Sequence, residues 1–455
     1  MGRLSVAVLS ALGTKFFYTN GPQFFIKGIA YQQDTTAAGE ESVTGEYQDP
    51  LADEAACRRD IPILVNAGTN TIRTYAIDPK NDHGACMKML SDADIYYDNA
   101  IGFFAGNEVW NDKTNTEASA FVKAAVRDTK KHIKEKGYRW MGVGYAANDD
   151  KDIRANSAHY FNCGDQDGAI DFWCYNIYLW CGENTLVGAG FDKQIDLSNN
   201  YSVPIFFAEY GCNQPSGGDS RIFQETTALY EPDMIDEAND FGLFKIKDGQ
   251  AKTMKSYDRL ASRVLAANPT AIQMDSYEPS NSPVKCPSTA SNWEVQGDTL
   301  PPTPDTYLCE CMVKSLWCVP KPNLEAEAIG DIFGFVCGAS PDSCEGIKTD
   351  TSTGVYGAFC MCSDEQKLAY VMNEYYKAQK SARTACDHNG QGEIASPSAD
   401  NTCKKALASA TDAALASSTA NPSSSTSGNA AAGSPYLPVF NFGGFALGAY
   451  LIASG

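Results

Sequence analysis

Basic side chains are scarce in this 455-residue sequence. Thirty-six Lys and Arg face 56 Asp and Glu, giving a formal charge of −20 and a pI near 4.6. That balance excludes nucleic acid as a partner, because phosphate binding needs basic patches. A neutral polymer remains compatible. Histidine is scarcer still, at four residues, and the 16 cysteines do not fall in CxxC pairs. A zinc ribbon is therefore not expected, and neither a metal nor a cofactor is called for. Disulfides account better for the cysteines and place the chain in an oxidising compartment. The apolar run Phe440–Ala453 is too short and too rich in Gly for a comfortable transmembrane helix.

Residues 1–13 carry Arg3 and then a short apolar run. They read either as a weak, truncated signal peptide or as an incomplete gene start. At the other end, a Ser/Thr/Ala-rich stretch (409–427) leads to small residues at Gly428-Asn429-Ala430-Ala431, a spacer and the apolar tail. This is the order of a glycosylphosphatidylinositol (GPI) attachment signal, with Asn429 as the expected anchor residue and the outer face of the plasma membrane as its partner. Asn200-Tyr201-Ser202 is an N-glycosylation sequon.

Two glutamates each end a short apolar run. Ile101-Gly102-Phe103-Phe104-Ala105-Gly106-Asn107-Glu108 comes first, and Val203-Pro204-Ile205-Phe206-Phe207-Ala208-Glu209-Tyr210-Gly211 follows. Each reads as a buried strand of a parallel sheet that delivers one carboxylate at its C-terminal edge. In a (β/α)8 barrel that edge carries the active site, and two carboxylates on one rim are equipment for breaking a glycosidic bond.

The rest of the pattern agrees. Phe16-Phe17-Tyr18, a turn at Asn20-Gly21-Pro22 and Phe24–Tyr31 predict a hairpin and a strand. Helical spacing covers 51–67, with Leu51, Ala55, Ile61 and Leu64 apolar, and Cys86–Leu90 sits in a short helix. Asn70–Ile77, Trp140–Tyr145 and Asp171–Tyr178 predict strands. Glu117–Lys136 predicts an amphipathic helix with Phe121, Val122, Ala125 and Ile133 inward. The alternation implies an α/β fold, a (β/α)8 TIM-type barrel over 14–283. Residues 284–306 read as a linker and 307–405 as a small, disulfide-rich, mainly helical module. Residues 406–433 form a Ser/Thr/Ala-rich stalk and 434–455 the tail.

These residues resemble the fungal cell-wall β-1,3-glucanosyltransferases, GPI-anchored enzymes that elongate glucan. The resemblance rests on Phe24-Phe25-Ile26-Lys27-Gly28-Ile29-Ala30-Tyr31-Gln32, Cys57-Arg58-Arg59-Asp60-Ile61-Pro62, Asn70-Thr71-Ile72-Arg73-Thr74-Tyr75-Ala76-Ile77-Asp78-Pro79, the Glu108 strand and Glu209-Tyr210-Gly211-Cys212-Asn213. The second module is similar to the Cys-rich glucan-binding module often appended to that family, through Cys309-Glu310-Cys311, Tyr356-Gly357-Ala358-Phe359 and Val371-Met372-Asn373-Glu374-Tyr375-Tyr376.

The resemblance implies a retaining double displacement on β-1,3-glucan, as donor and acceptor, at the cell surface and in the wall. Glu108 would be the acid/base and Glu209 the nucleophile. Asn107 would hold the 2-hydroxyl of the bound sugar, and Gln32, Tyr75 and Tyr178 would contact glucan. Trp173 and Trp180 are weaker candidates for sugar stacking, and Arg73 is a candidate partner for a carboxylate. The family pattern also implies disulfides Cys57–Cys86, Cys181–Cys212 and Cys163–Cys286. Cys174 and Cys360 stand where the family often has Gly and Ser, and are expected as thiols.

Two family segments are missing, so the barrel is expected to be incomplete. Asp94–Tyr97 reads as strand three and Ile101–Asn107 as strand four, with only three residues between them, whereas a parallel crossover needs about a dozen. The crossover after strand three, with an acidic rim residue, is thus absent. The eighth strand is also absent, between Met234 and Asp236. An opened barrel would expose unpaired strand edges and fold poorly. Two other readings stay open: a non-catalytic wall protein that binds glucan through its Cys-rich module, and an endo-β-1,3-glucanase.

Overall fold

The computed structural model describes residues 9–32, 49–75, 77–95, 100–193, 197, 200–212, 221–229, 243–247, 249–297, 299–419 and 450–454. The chain divides into two compact units, residues 1–287 with 437–455, and residues 288–436.

The first unit opens with three antiparallel strands, β1 (Leu9–Leu12), β2 (Lys15–Tyr18) and β3 (Gln23–Phe24). The predicted Phe16–Phe24 hairpin is formed, but the strand after it breaks into β3 and β4 (Gly28–Ala30). Leu9–Leu12, inside the segment read as a signal peptide, pairs with β2, and Leu9 packs into the core with Phe16 and Phe24. The chain then alternates: α1 (Glu54–Asn66), β5 (Thr71–Arg73), α2 (Gly84–Asp92), β6 (Ala100–Asn107), α3 (Ala118–Glu135), β7 (Gly142–Asn148), α4 (Arg154–Asn162), β8 (Phe172–Ile177) and β9 (Ile205–Tyr210). Asp53 caps α1, its carboxylate accepting from Ala56 N at 2.9 Å. A disulfide, Cys57–Cys86, ties α1 to α2. After β9 come α5 (Gln224–Leu229), the hairpin β10 (Phe244–Lys247) and β11 (Gln250–Thr253), and α6 (Lys255–Ala266).

Strands β4 and β5 pair in parallel, and so do β6, β7, β8 and β9 in sequence. Strand β8, Phe172 to Ile177, is buried at every position, as a parallel strand covered on both faces must be. Between β5 and β6 lies β16 (Tyr450–Ser454), antiparallel to both. Of the expected third strand, Asp94–Tyr97, only the first two residues are described. Asp94 and Ile95 follow α2 in a turn, with Asp94 at φ 56°, while Tyr96 and Tyr97 lie outside the described residues. The edges of β5 and β6, expected to be exposed, are paired with the tail segment. The second predicted gap, Met234–Asp236, is also outside the described residues, as is Asn429.

The core beneath the site is aromatic. Phe172 meets Phe104 edge-on at 5.6 Å and Phe206 at 5.5 Å between ring centres. It lies flat on β7, which only glycine permits: a Cβ on Gly144 would stand 2.2 Å from the Phe172 ring. Helix α3 differs from expectation. Val122, Ala124, Val126 and Ile133 are buried, whereas Phe121 and Ala125 are half-buried. Lys123 also turns inward, donating from Nζ to Tyr160 O at 2.6 Å and Cys163 O at 2.9 Å. A buried ammonium is tolerated when it finds such acceptors.

The second unit holds α7 (Thr306–Lys314), β12 (Cys318–Pro320), α8 (Ala326–Ala339), β13 (Thr349–Asp350), β14 (Val355–Tyr356), α9 (Asp364–Ala378), α10 (Arg383–Asp387), β15 (Gly392–Ile394) and α11 (Asn401–Thr419). Four disulfides staple it: Cys309–Cys362, Cys311–Cys403, Cys318–Cys386 and Cys337–Cys344. The first unit has Cys163–Cys286 and Cys181–Cys212 besides Cys57–Cys86. Cys174 and Cys360 are buried and outside these seven bridges. Gly144→Ala is expected to lower stability by about 1–3 kcal/mol through overpacking against Phe172. Chemical denaturation, with an unchanged slope and an earlier midpoint, would register this.

Candidate active site

Four parallel strands deliver polar groups at their C-terminal ends. Strand β5 ends at Arg73, with Tyr75 two residues on. Strand β6 ends at Asn107, followed by Glu108. Strand β8 carries Asn176, with Tyr178 just past its end, and β9 carries Glu209. This is the rim where α/β barrels build sites.

A bulge precedes each glutamate. Phe104 pairs with Gly144 but Asn107 with Ala146, so β6 holds one extra residue. Tyr175 pairs with Phe207 but Asn176 with Glu209, so β9 holds one too. Bulges re-aim the side chains that follow them. Glu108 also has φ 48°, in the left-handed region that non-glycine residues seldom occupy, while its N–H donates to Ala146 O at 2.9 Å. Such strain collects at functional positions.

Arg73, 1% exposed, joins the set. Its Nη1 donates to Glu209 Oε1 at 2.9 Å and to Ala208 O at 3.1 Å, and its Nη2 to Asn107 Oδ1 at 2.7 Å. The guanidinium also lies 4.4 Å from the centre of the Tyr75 ring. Tyr75 OH donates to Glu209 Oε1 at 2.7 Å, and Tyr178 OH donates to Glu209 Oε2. Asn176 Nδ2 donates to Glu108 Oε1 at 2.9 Å and to Asn107 Oδ1 at 3.0 Å. Glu108 and Glu209 are thus ends of one hydrogen-bonded chain running through Asn176, Asn107 and Arg73.

The two carboxylates have different surroundings. Glu209 forms an ion pair with Arg73 and accepts from two phenols. Glu108 is exposed at the rim, yet partial loss of hydration pushes its carboxyl above its ordinary value of 4.5. The Asn176 hydrogen bond pulls it back, the Glu209 charge pushes it up again, and the Arg73 charge opposes that. Burial and the Glu209 charge push the Tyr178 phenol well above its usual range, so it stays a donor.

The sequence-predicted residues fall into two groups. Glu108, Glu209, Asn107, Tyr75, Tyr178 and Arg73 come together. Gln32 lies exposed two residues past β4, outside this network among the described residues. Trp173 and Trp180 are not sugar-stacking surfaces. Trp173 is fully buried among Tyr145, Phe161 and Tyr175, and Trp180 is buried against Phe191. Asn200 is exposed, next to the buried Tyr201, and Ser202 Oγ donates to Asn162 Oδ1 at 2.8 Å. Asn176 was missed by the sequence reading. Its signal was a lone amide in the apolar run Phe172-Trp173-Cys174-Tyr175-Asn176-Ile177.

A profile described as glucanosyltransferase matches residues 3–97 and 96–268. The chain belongs to the glucanosyltransferase family. An X8 domain profile matches residues 316–393. Among relatives, a 1,3-β-glucanosyltransferase of Arthroderma benhamiae is 42% identical, over 99% of this chain and 93% of that protein. The 1,3-β-glucanosyltransferase gas1 of Schizosaccharomyces pombe is 35% identical, over 90% of this chain and 83% of its own. Among solved structures, a Glu-to-Gln mutant of Saccharomyces cerevisiae Gas2p, in complex with laminaritetraose and laminaripentaose, superposes with a TM-score of 0.76. It is 33% identical and covers 90% of this chain and 99% of its own. The α/β barrel architecture of the family therefore applies to the first unit.

Because folding raises the Glu108 pKa above 4.5, the partial desolvation of this exposed carboxyl destabilises the fold at pH values above that folded pKa and costs nothing below the unfolded one. Glu108→Gln is accordingly expected to melt above the parent at pH 7. The gap should close as pH falls through the glutamate range, as measured by thermal unfolding across pH.

Proposed function

We propose that this member of the family is a retaining β-1,3-glucan transglycosylase in which Glu108 is the acid/base and Glu209 the nucleophile. The observation that carries this reading is the single hydrogen-bonded chain joining the two carboxylates at the strand ends. Glu209 attacks the anomeric carbon while the proton of Glu108 passes to the leaving glycosidic oxygen. The bond to that oxygen breaks and a covalent glucosyl-enzyme forms. Glu108, now a carboxylate, takes the proton of an incoming sugar hydroxyl, and that oxygen displaces Glu209. The product is a longer glucan; with water as the acceptor it is hydrolysed. The Arg73, Asn176 and Asn107 contacts leave the Asn107 Nδ2 group as its remaining donor, suited to the 2-hydroxyl of the bound sugar. Tyr75, Tyr178 and Gln32 are assigned to glucan contact.

The same reading extends to the whole chain: a catalytic barrel (14–283), a glucan-binding module (307–405) and a stalk (406–433) leading to a GPI anchor at Asn429. It places the enzyme at the outer face of the plasma membrane and in the wall, with Asn200 glycosylated.

The barrel is read as shorter than the family's. The family profile matches in two pieces that meet at residues 96–97, which supports a crossover missing after the third strand. The alignment with the Arthroderma relative spans 515 positions against a chain of 455, so at least 60 positions have no counterpart here (515 less 455). The antiparallel β16 between β5 and β6 favours a second reading, an inert barrel with glucan binding by the module alone.

Incubation of the full chain with laminari-oligosaccharides separates these readings by product length. Both longer and shorter products are expected, and Glu108→Gln and Glu209→Gln should each reduce them at least a hundredfold. A parent chain that binds insoluble glucan yet forms no products would establish the inert reading. Shorter products alone would mark a plain glucanase. Transcript sequencing across the codons for Tyr97–Ile101 and Met234–Asp236 tests the gaps; intact junctions as written are the result that the shortened barrel requires.

A further inference from the structure

Asn176 is 3% exposed, yet its Nδ2 is shared between Glu108 Oε1 at 2.9 Å and Asn107 Oδ1 at 3.0 Å. Its own Oδ1 is buried with no hydrogen-bond partner among the described residues. An apolar residue would suit this position in β8 better if the amide had only a packing role, because an unsatisfied buried carbonyl is costly. The orientation of the amide is set from outside. Asn107 Oδ1 already accepts from Arg73 Nη2 at 2.7 Å, so it faces Asn176 as an acceptor, and Asn176 must meet it with N–H. Glu108 then also meets an N–H, at Oε1.

We infer that Asn176 is a positioning residue for proton transfer, clamping Oε1 of Glu108 so that the exchangeable proton resides on Oε2 and is given up and regained there. This rests on the acid/base role proposed for Glu108. In the first half-reaction the Oε2 proton passes to the leaving oxygen as the glycosidic bond breaks, and the bonding pair stays on that oxygen. The negative charge left on Glu108 strengthens the Asn176 hydrogen bond, so the clamp favours the proton's departure. In the second half-reaction the acceptor hydroxyl returns its proton to Oε2 as its oxygen bonds to the anomeric carbon and the Glu209 oxygen leaves.

The test uses the full chain with Asn176→Ala. The alkaline limb of kcat/KM on laminari-oligosaccharides reports the protonated form of Glu108. Loss of an N–H that favours the carboxylate raises the pKa of that group, so the limb is expected to move to higher pH by about 0.5–1 unit. A laminari-oligosaccharide bearing a dinitrophenyl leaving group needs no proton from the enzyme. On that substrate the variant's glycosylation step is expected within about twofold of the parent, while on natural glucan it is slowed at least tenfold. An unmoved limb, or equal losses on both substrates, would overturn the inference and leave the roles of Glu108 and Glu209 standing. Should the alanine variant not fold, the isosteric Asn176→Asp places a second carboxylate beside Glu108 and must move the limb the same way, and further. Inactivity of the parent on both substrates would overturn the proposed function and this inference together.

Discussion

The buried guanidinium of Arg73 is the constraint on which the rest of the site depends. A charge withdrawn from water needs its hydrogen bonds satisfied in place. The two Nη groups of Arg73 find them on β9, at Glu209 Oε1 and Ala208 O, and on β6, at Asn107 Oδ1, while its Nε has no partner among the described residues. These acceptors come from strands far apart in sequence, so the cation fixes their strand ends relative to one another. Two further consequences follow. Asn107 is held with its carbonyl inward, leaving its amide N–H groups for a ligand, and Asn176 is obliged to present N–H to Glu108. Removing the cation would leave a paired carboxylate without its counter-charge and an amide without a reason to face either way.

From that fixed point the two carboxylates diverge. Glu209 is surrounded by donors. Glu108 has one neutral donor, more desolvation than counter-charge, and a left-handed backbone. Two acids whose surroundings differ in this sense suit the proposed division into a nucleophile and a proton carrier. The bulges in β6 and β9 serve the same division. Each adds a residue next to its glutamate, so the side chain leaves the alternation of its strand and turns onto the rim.

Much of this was legible in the sequence. The apolar runs ending at Glu108 and Glu209 have the composition of doubly buried strands, and they form β6 and β9. Asn107, Tyr75, Tyr178 and Arg73 were reached through family pattern and do gather at one rim. What failed did so for physical reasons. Trp173 and Trp180 looked available for sugar because aromatic residues near a rim often are, but β8 is buried on both faces and Trp173 belongs to its core. Lys123 lies between the predicted inward residues of α3 and was not singled out. It turns inward because the carbonyls of Tyr160 and Cys163 offer it acceptors, and those belong to a segment 37 and 40 residues away. Of Asp94–Tyr97, read as the third strand, Asp94 and Ile95 form a turn closing α2, and the other two lie outside the described residues. Asn176 could not be singled out, because its role depends on which way Asn107 faces, and that is decided by an arginine 103 residues earlier (176 less 73).

The disulfides distribute stability according to what each unit can bury. The second unit, the smaller one, with its apolar side chains divided between two clusters, is held by four bridges spanning 53, 92, 68 and 7 residues. Small domains rely on such staples when their core is slight. The first unit has its aromatic core and needs fewer, but Cys163–Cys286 closes a 123-residue loop that contains β8, β9 and α6. In the chain-entropy account a closure of that length restricts the unfolded state by about 4–5 kcal/mol. The benefit grows only with the logarithm of loop length. A difference of a few tens of residues in the length of this loop would change the restriction by only tenths of a kcal/mol, about 0.1–0.3. The half of the site that carries Asn176, Tyr178 and Glu209 is therefore anchored at its two ends by a bond nearly indifferent to how much sequence lies between them.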